Sequence, residues 1–149
     1  MKGVQIFGIL FLGGLLLVQR TDASKKLNQL IDVCRKGLNV TEEMASAYRR
    51  VEFPDDSTTK CVLRCMALNL GVYDDLSGIH MAATWQMFAD GRGPREEKQF
   101  AESHFSCIRR NQASVAADDY CGRVWAAYLC YRDEFQALMK KQQKAAVKV

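Results

Sequence analysis

Thr59-Lys60-Cys61-Val62-Leu63-Arg64-Cys65-Met66-Ala67-Leu68-Asn69-Leu70-Gly71 is the stretch that decides the fold. Cys61, Val62, Leu63, Cys65, Met66, Ala67 and Leu70 place apolar groups on several faces, without alternation at period two. A helix apolar nearly all round is a buried one, so the run reads as an interior helix from about Thr58 to Leu70, ended by Gly71. Cys61 and Cys65 are four apart and share one side of it. Joining them to each other would strain the helix, so each should reach a different segment.

Outward from this helix the chain reads as further helices. Leu27, Leu30, Ile31 and Cys34 make one stripe at i, i+3, i+4, i+7 on a first helix, which Gly37 stops. Thr41 is a natural N-cap for a second helix with the stripe Met44, Ala47, Tyr48 and Val51. Phe53-Pro54-Asp55-Asp56-Ser57 reads as a turn. Gly78 to Ala89 is expected as a fourth helix, with Met81, Trp85 and Phe88 on one stripe. Gly91-Arg92-Gly93-Pro94 breaks the chain, and Pro94 with Glu96 and Glu97 starts a fifth helix carrying Phe100, Phe105, Cys107 and Ile108. Asn111 to Ser114 is expected as a loop, and a long last helix should begin near Val115 and continue past Met139. The expected class is all-α, a compact bundle of about six helices, with strands improbable.

The six cysteines constrain how the helices meet. Cys121 and Cys130 lie nine apart on the last helix, roughly 13 Å along its axis and beyond the ~7 Å reach of a disulfide. At 100° per residue they also leave opposite faces, so a helix bridged at both lies in the middle of the molecule. Six cysteines allow 15 pairings. Excluding those with a 61–65 or 121–130 bond leaves ten, among which local geometry does not choose.

Lys2 followed by the apolar run Ile6 to Val18 has the form of an export leader, and Thr21-Asp22-Ala23 offers a cleavage point after Ala23. Residues 24–149 then form one domain of 126 residues with 19 basic and 16 acidic side chains. So mild a balance does not predict nucleic-acid binding. Arg109-Arg110 and the tail lysines (Lys140, Lys141, Lys144, Lys148) read as solvated helix ends. An even cysteine count behind a leader argues for disulfides in an oxidising, extracellular compartment. Two histidines and no C-x₂-C pair give a metal site little support. No stretch after the leader is long and apolar enough to be inserted stably in a membrane. No G-x-S-x-G, H-E-x-x-H or phosphate loop suggests an enzyme, and no cofactor is expected.

The spacing Cys34-x₂₆-Cys61-x₃-Cys65-x₄₁-Cys107-x₁₃-Cys121-x₈-Cys130 closely resembles the six-cysteine signature of the insect pheromone-binding and general-odorant-binding proteins. Pro54-Asp55-Asp56, Thr59-Lys60-Cys61, Gly71, Asp74 and Ser77-Gly78 resemble a dipteran branch of that family. The resemblance implies the pairing Cys34–Cys65, Cys61–Cys121 and Cys107–Cys130 and a cavity between helices. It also implies a secreted carrier of odorants, pheromones or similar lipophilic molecules. Its partners would be a small apolar ligand, a second copy of the chain and a membrane receptor of the olfactory system. The competing reading is a salivary, haemolymph or defence protein without an olfactory role.

Pocket walls are mostly apolar or aromatic, which makes Met66, Met81, Trp85, Phe88, Phe105, Ile108, Val124, Trp125, Tyr128 and Phe135 the candidate ligand contacts. Ordinary core is the competing role for each. Tyr128, Tyr120, Thr84 and His104 are candidates for one orienting hydrogen bond. His104, between Phe100 and Cys107, is either a structural histidine or a group that changes charge between about pH 5 and 8. His80 is expected at the surface. Some members of the resembled family fold the chain after the sixth cysteine over the pocket. Phe135, Leu138 and Met139 suit that, whereas the lysines from about residue 140 favour a frayed end, with Val147 and Val149 the residues able to dock. Asn39-Val40-Thr41 fits a glycosylation sequon at Asn39.

Overall fold

The computed structural model describes residues 22–89 and 94–147. All but the last two residues of the expected leader lie outside them, as do Gly91-Arg92-Gly93, Lys148 and Val149. The chain forms α1 (Asp22–Lys36), α2 (Glu42–Arg49), α3 (Ser57–Asn69), β1 (Tyr73–Asp74), β2 (Gly78–Ile79), α4 (Met81–Phe88), α5 (Pro94–Gln112) and α6 (Tyr120–Val147). Six helices are thus present among the described residues.

Local chemistry explains the boundaries. Thr41 Oγ1 accepts from the Met44 amide at 3.2 Å and caps α2. Asp56 accepts from the Thr59 amide at 2.8 Å and caps α3. At the far end of α3 the Gly71 amide donates to Leu68 O and the Val72 amide to Ala67 O, with Gly71 at φ 69. That is a Schellman closure, in which the left-handed residue suits glycine.

Two expectations about element boundaries are corrected. Gly78 and Ile79 do not begin a helix; they pair antiparallel with Asp74 and Tyr73, so the fold contains one short hairpin. The cause is Asp74, whose carboxylate accepts from the Leu76 and Ser77 amides at 2.8 and 2.7 Å and folds the chain back on itself. Gly78 at φ 82 completes the turn, and α4 starts only at Met81. The last helix begins at Tyr120 rather than Val115, because Asp119 accepts from the Gly122 amide at 2.7 Å and fixes the N-terminus there. The α5–α6 connection starts two residues later than expected, since α5 runs through Gln112.

Helix α6 occupies the middle, packed against α1, α3, α4, α5 and β2. Three disulfides fix the arrangement: Cys34–Cys65 joins α1 to α3, Cys61–Cys121 joins α3 to α6, and Cys107–Cys130 joins α5 to α6. Asn111 Nδ2 and Gln112 Nε2 add hydrogen bonds to Ala126 O and Arg123 O at 3.1 and 3.0 Å. On the other side, Arg49 bonds Asp32 at 2.7 Å and Glu42 at 2.8 Å, and Arg35 also pairs with Glu42, tying α2 to α1. Helix α6 is broken at Tyr131, whose φ of −126° and ψ of 17° are not helical. The chain beyond the break is helical to Val147, with Phe135 and Met139 buried and Lys140 and Lys141 exposed. The side chains of Lys144 and Val147 lie outside the described residues.

Candidate functional site

An apolar cavity of about 30 Å³ lies where α3, α4 and α6 converge. Helix α3 and its C-cap contribute Leu63, Met66, Ala67 and Leu70, the i, i+3, i+4, i+7 stripe of a single face. Val72, just past the Schellman closure, and Met87 of α4 add to the wall. Helix α6 supplies Val124, Tyr128, Tyr131 and Phe135. Phe135 lies beyond the break, so the terminal arm of α6 is part of the wall. Leu70 is 45% exposed and Met87 half-buried, which turns that end of the cavity toward solvent.

The wall belongs to a continuous aromatic cluster. Phe53 stacks on Tyr48 at 5.4 Å and meets Tyr128 and Phe135 at 5.8 and 6.1 Å. Tyr128 touches Trp125 and Tyr131, and Tyr131 meets Phe88, which in turn packs on Phe100. Burial pushes the phenols of Tyr128 and Tyr131 above the ordinary value of 10, so both remain protonated donors in neutral water. The Tyr128 hydroxyl is buried with no hydrogen-bond partner; Gln136 eases its shift without reaching hydrogen-bond geometry.

Of the ten candidate contacts, Met66, Val124, Tyr128 and Phe135 line this cavity. Trp85 and Phe88 are buried against Phe100 instead, at 5.3 and 5.9 Å. Ile108 is buried elsewhere in the core, Met81 packs half-buried against that core, and Trp125 lies under Lys60 Nζ at 5.7 Å. Phe105 is corrected: it is 53% exposed, with the Arg109 guanidinium 5.8 Å from its ring. The inward stripe of α5 is Phe100, His104 and Ile108, and Phe105 lies beside it rather than on it. Leu63, Ala67, Leu70, Val72, Met87 and Tyr131 were not among the candidates. Tyr131 had a clear signal, since 124, 128, 131 and 135 follow the helical period.

The four candidate hydrogen-bonding groups separate in the same way. Thr84 Oγ1 donates to His80 O at 3.0 Å, and Tyr120 is 40% exposed beneath Arg64. His104 is buried, stacked on Phe100, with Nδ1 at 2.8 Å from Phe100 O and Nε2 at 3.2 Å from Glu134 Oε1. Tyr128 alone of the four is both in the wall and unpartnered. Asn39 stands exposed in the α1–α2 turn at φ 52.

Asp74, Ser77 and His80 form a cluster outside the cavity. Asp74 Oδ2 and Ser77 Oγ approach the same ring nitrogen, His80 Nε2, at 2.6 and 3.0 Å, and Ser77 Oγ also donates to Asp74. A hydrolytic triad needs carboxylate and hydroxyl on opposite ring nitrogens, so this trio is a hairpin clasp. Its contacts from Ser77, side chain then amide, and from His80 hold the Asp74 carboxyl well below the ordinary carboxylate range. Among the described residues no group of three or more His, Cys, Asp or Glu could hold a metal ion, and no helix is long and apolar enough to cross a membrane.

A disulfide-stapled helical bundle around an apolar cavity is the architecture of a small-molecule-binding protein. The chain belongs to the PBP/GOBP family, whose model matches residues 18–134. It is 26% identical over 92 residues to general odorant-binding protein 99a of Drosophila melanogaster, covering 62% of this chain and 64% of that protein. It is also 23% identical over 111 residues to odorant-binding protein 22 of Aedes aegypti, covering 74% and 75%. Among solved structures, Anopheles gambiae odorant-binding protein 22a superposes with a TM-score of 0.63 at 30% identity, over 72% of this chain and 98% of that one. The same mosquito protein with bound odorant cyclohexanone gives 0.66 at 28% identity, over 76% and 95%.

Proposed function

We propose that this protein is an exported, non-enzymatic carrier that takes up a small lipophilic molecule, of the odorant or pheromone kind, in the cavity between α3, α4 and α6. The observation that carries this reading is the cavity's wall: ten residues, all apolar or aromatic, drawn from three separate stretches of a covalently stapled bundle. Family membership and the cyclohexanone complex of a similar mosquito protein support it. A second copy of the chain, or a membrane receptor, would act only after that binding.

A volume of about 30 Å³ admits a group the size of a water molecule. A ring-sized guest therefore needs the wall to give. Met66 and Met87 are the side chains suited to that, being unbranched and polarisable, and Leu70 is already half in solvent. The test is displacement of an environment-sensitive fluorescent apolar probe by cyclohexanone and by larger odorants. Saturable binding at one site is expected, and Leu63→Trp, which fills the cavity, should abolish it. Probe binding that is unsaturable, or unaffected by that variant, rules the reading out.

A further inference from the structure

Among the described residues the Tyr128 hydroxyl is a buried donor with no acceptor in hydrogen-bond geometry. The residue is 2% exposed, lies in the cavity wall and belongs to a helix held at Cys121 and Cys130 by disulfides to two different neighbours. Leaving such a group unsatisfied costs free energy, and most buried hydroxyls in folded proteins are paired. Its surroundings are the rings of Phe53, Trp125, Tyr131 and Phe135, which offer no strong acceptor. Gln136 stands near without hydrogen-bond geometry. The other polar side chains that could have served the cavity are engaged elsewhere: Thr84 with His80 O, His104 with Phe100 O and Glu134.

We infer that the cavity selects neutral ligands with one hydrogen-bond acceptor on an otherwise apolar body, such as a ketone, ester or ether, and that Tyr128 is the donor that reads the acceptor. The inference rests on the carrier reading above and sharpens it into a ligand class. A protonated phenol presents one O–H, which suits a single carbonyl or ether oxygen; Tyr131 carries the wall's other hydroxyl, and the remaining eight lining residues pair only with hydrocarbon. A pure hydrocarbon of the same shape leaves the hydroxyl as it was; a ketone satisfies it.

The experiment compares cyclohexanone with methylenecyclohexane, of nearly the same shape but without the oxygen, on the disulfide-bonded protein and on Tyr128→Phe, with the fluorescent apolar probe as a common reference. The parent should prefer the ketone by about tenfold, and on Tyr128→Phe the ketone and the hydrocarbon should bind with equal affinity, whatever that common affinity is. Thermal unfolding in the absence of ligand supplies an independent readout. Removing an unpaired buried hydroxyl should leave the melting temperature unchanged or raise it. A lowered melting temperature with the ketone preference intact means that Gln136 or a bound water already satisfies the phenol, and overturns the inference while sparing the carrier reading. Failure of all three compounds to bind either protein overturns both.

Discussion

Val51 and Gly71 occupy the same position at the ends of α2 and α3. After α2 the Val51 amide donates to Tyr48 O and the Glu52 amide to Ala47 O, the same two-bond closure seen after α3. Val51 has φ 64, a conformation that a β-branched residue rarely adopts. Its side chain is 2% exposed, and burying a valine side chain contributes about 1.5–3 kcal/mol, enough to outweigh a left-handed backbone cost of roughly 1–2 kcal/mol. Val51→Gly, which removes both terms, is expected to change stability by less than about 2 kcal/mol. Gly71→Ala meets no atom within 4 Å, so it should cost only the backbone term, about 1 kcal/mol, read as a lower denaturant midpoint at constant slope. Asp56 contributes a pH dependence at the same scale. Desolvation raises its carboxyl, but hydrogen bonds from the Thr59 hydroxyl and from the Thr59 and Thr58 amides win, and it titrates below the ordinary 3.8. A carboxyl depressed in the folded state contributes stability above the unfolded value and loses it as the pH falls through the folded one. Between pH 7 and 5 this contribution should therefore be constant, and below about pH 4 it should fade. Asp56→Ala should cost about 1 kcal/mol at neutral pH and flatten the acid limb of the stability curve.

Helix by helix, what could be read in the sequence was what depends on spacing. The interval between Cys121 and Cys130 puts two tethers on opposite faces of one helix, and α6 is central. The hairpin at Tyr73–Ile79 has no such signature: it is made by one carboxylate folding four residues back, and two-residue strands are too short for a period to show. Phe105 misled because it is aromatic, while the buried positions of α5 repeat at four residues through Phe100, His104 and Ile108. The break at Tyr131 was illegible, since neither proline nor glycine marks it. The tethers differ in what they close. Cys61–Cys121 spans 60 residues and Cys107–Cys130 spans 23. If loop entropy governs, replacing either pair by serines costs about 3–4 kcal/mol, with the 61–121 pair the more expensive by somewhat under 1 kcal/mol. Urea unfolding of the two double variants measures the order.

At the scale of the whole molecule, binding and stability are one measurement. A ligand that fits the folded cavity and not the unfolded chain stabilises by about 2.7 kcal/mol at a hundred times its dissociation constant. For a domain of this size that is roughly a 10 °C rise in melting temperature. The rise should follow the logarithm of ligand concentration and vanish in Leu63→Trp. The break in α6 sets where such an effect is felt. Cys130 is the last sulfur anchor in the chain, and the helix loses its continuity at the very next residue. Among the described residues no disulfide holds the arm beyond it, and Phe135 and Met139 are its deepest footholds. Amides after the break should consequently exchange with deuterium sooner than those of Gly122 to Cys130, and a guest pressed against Phe135 should slow them most. In this molecule the piece of wall easiest to peel away is also one the cargo would glue down.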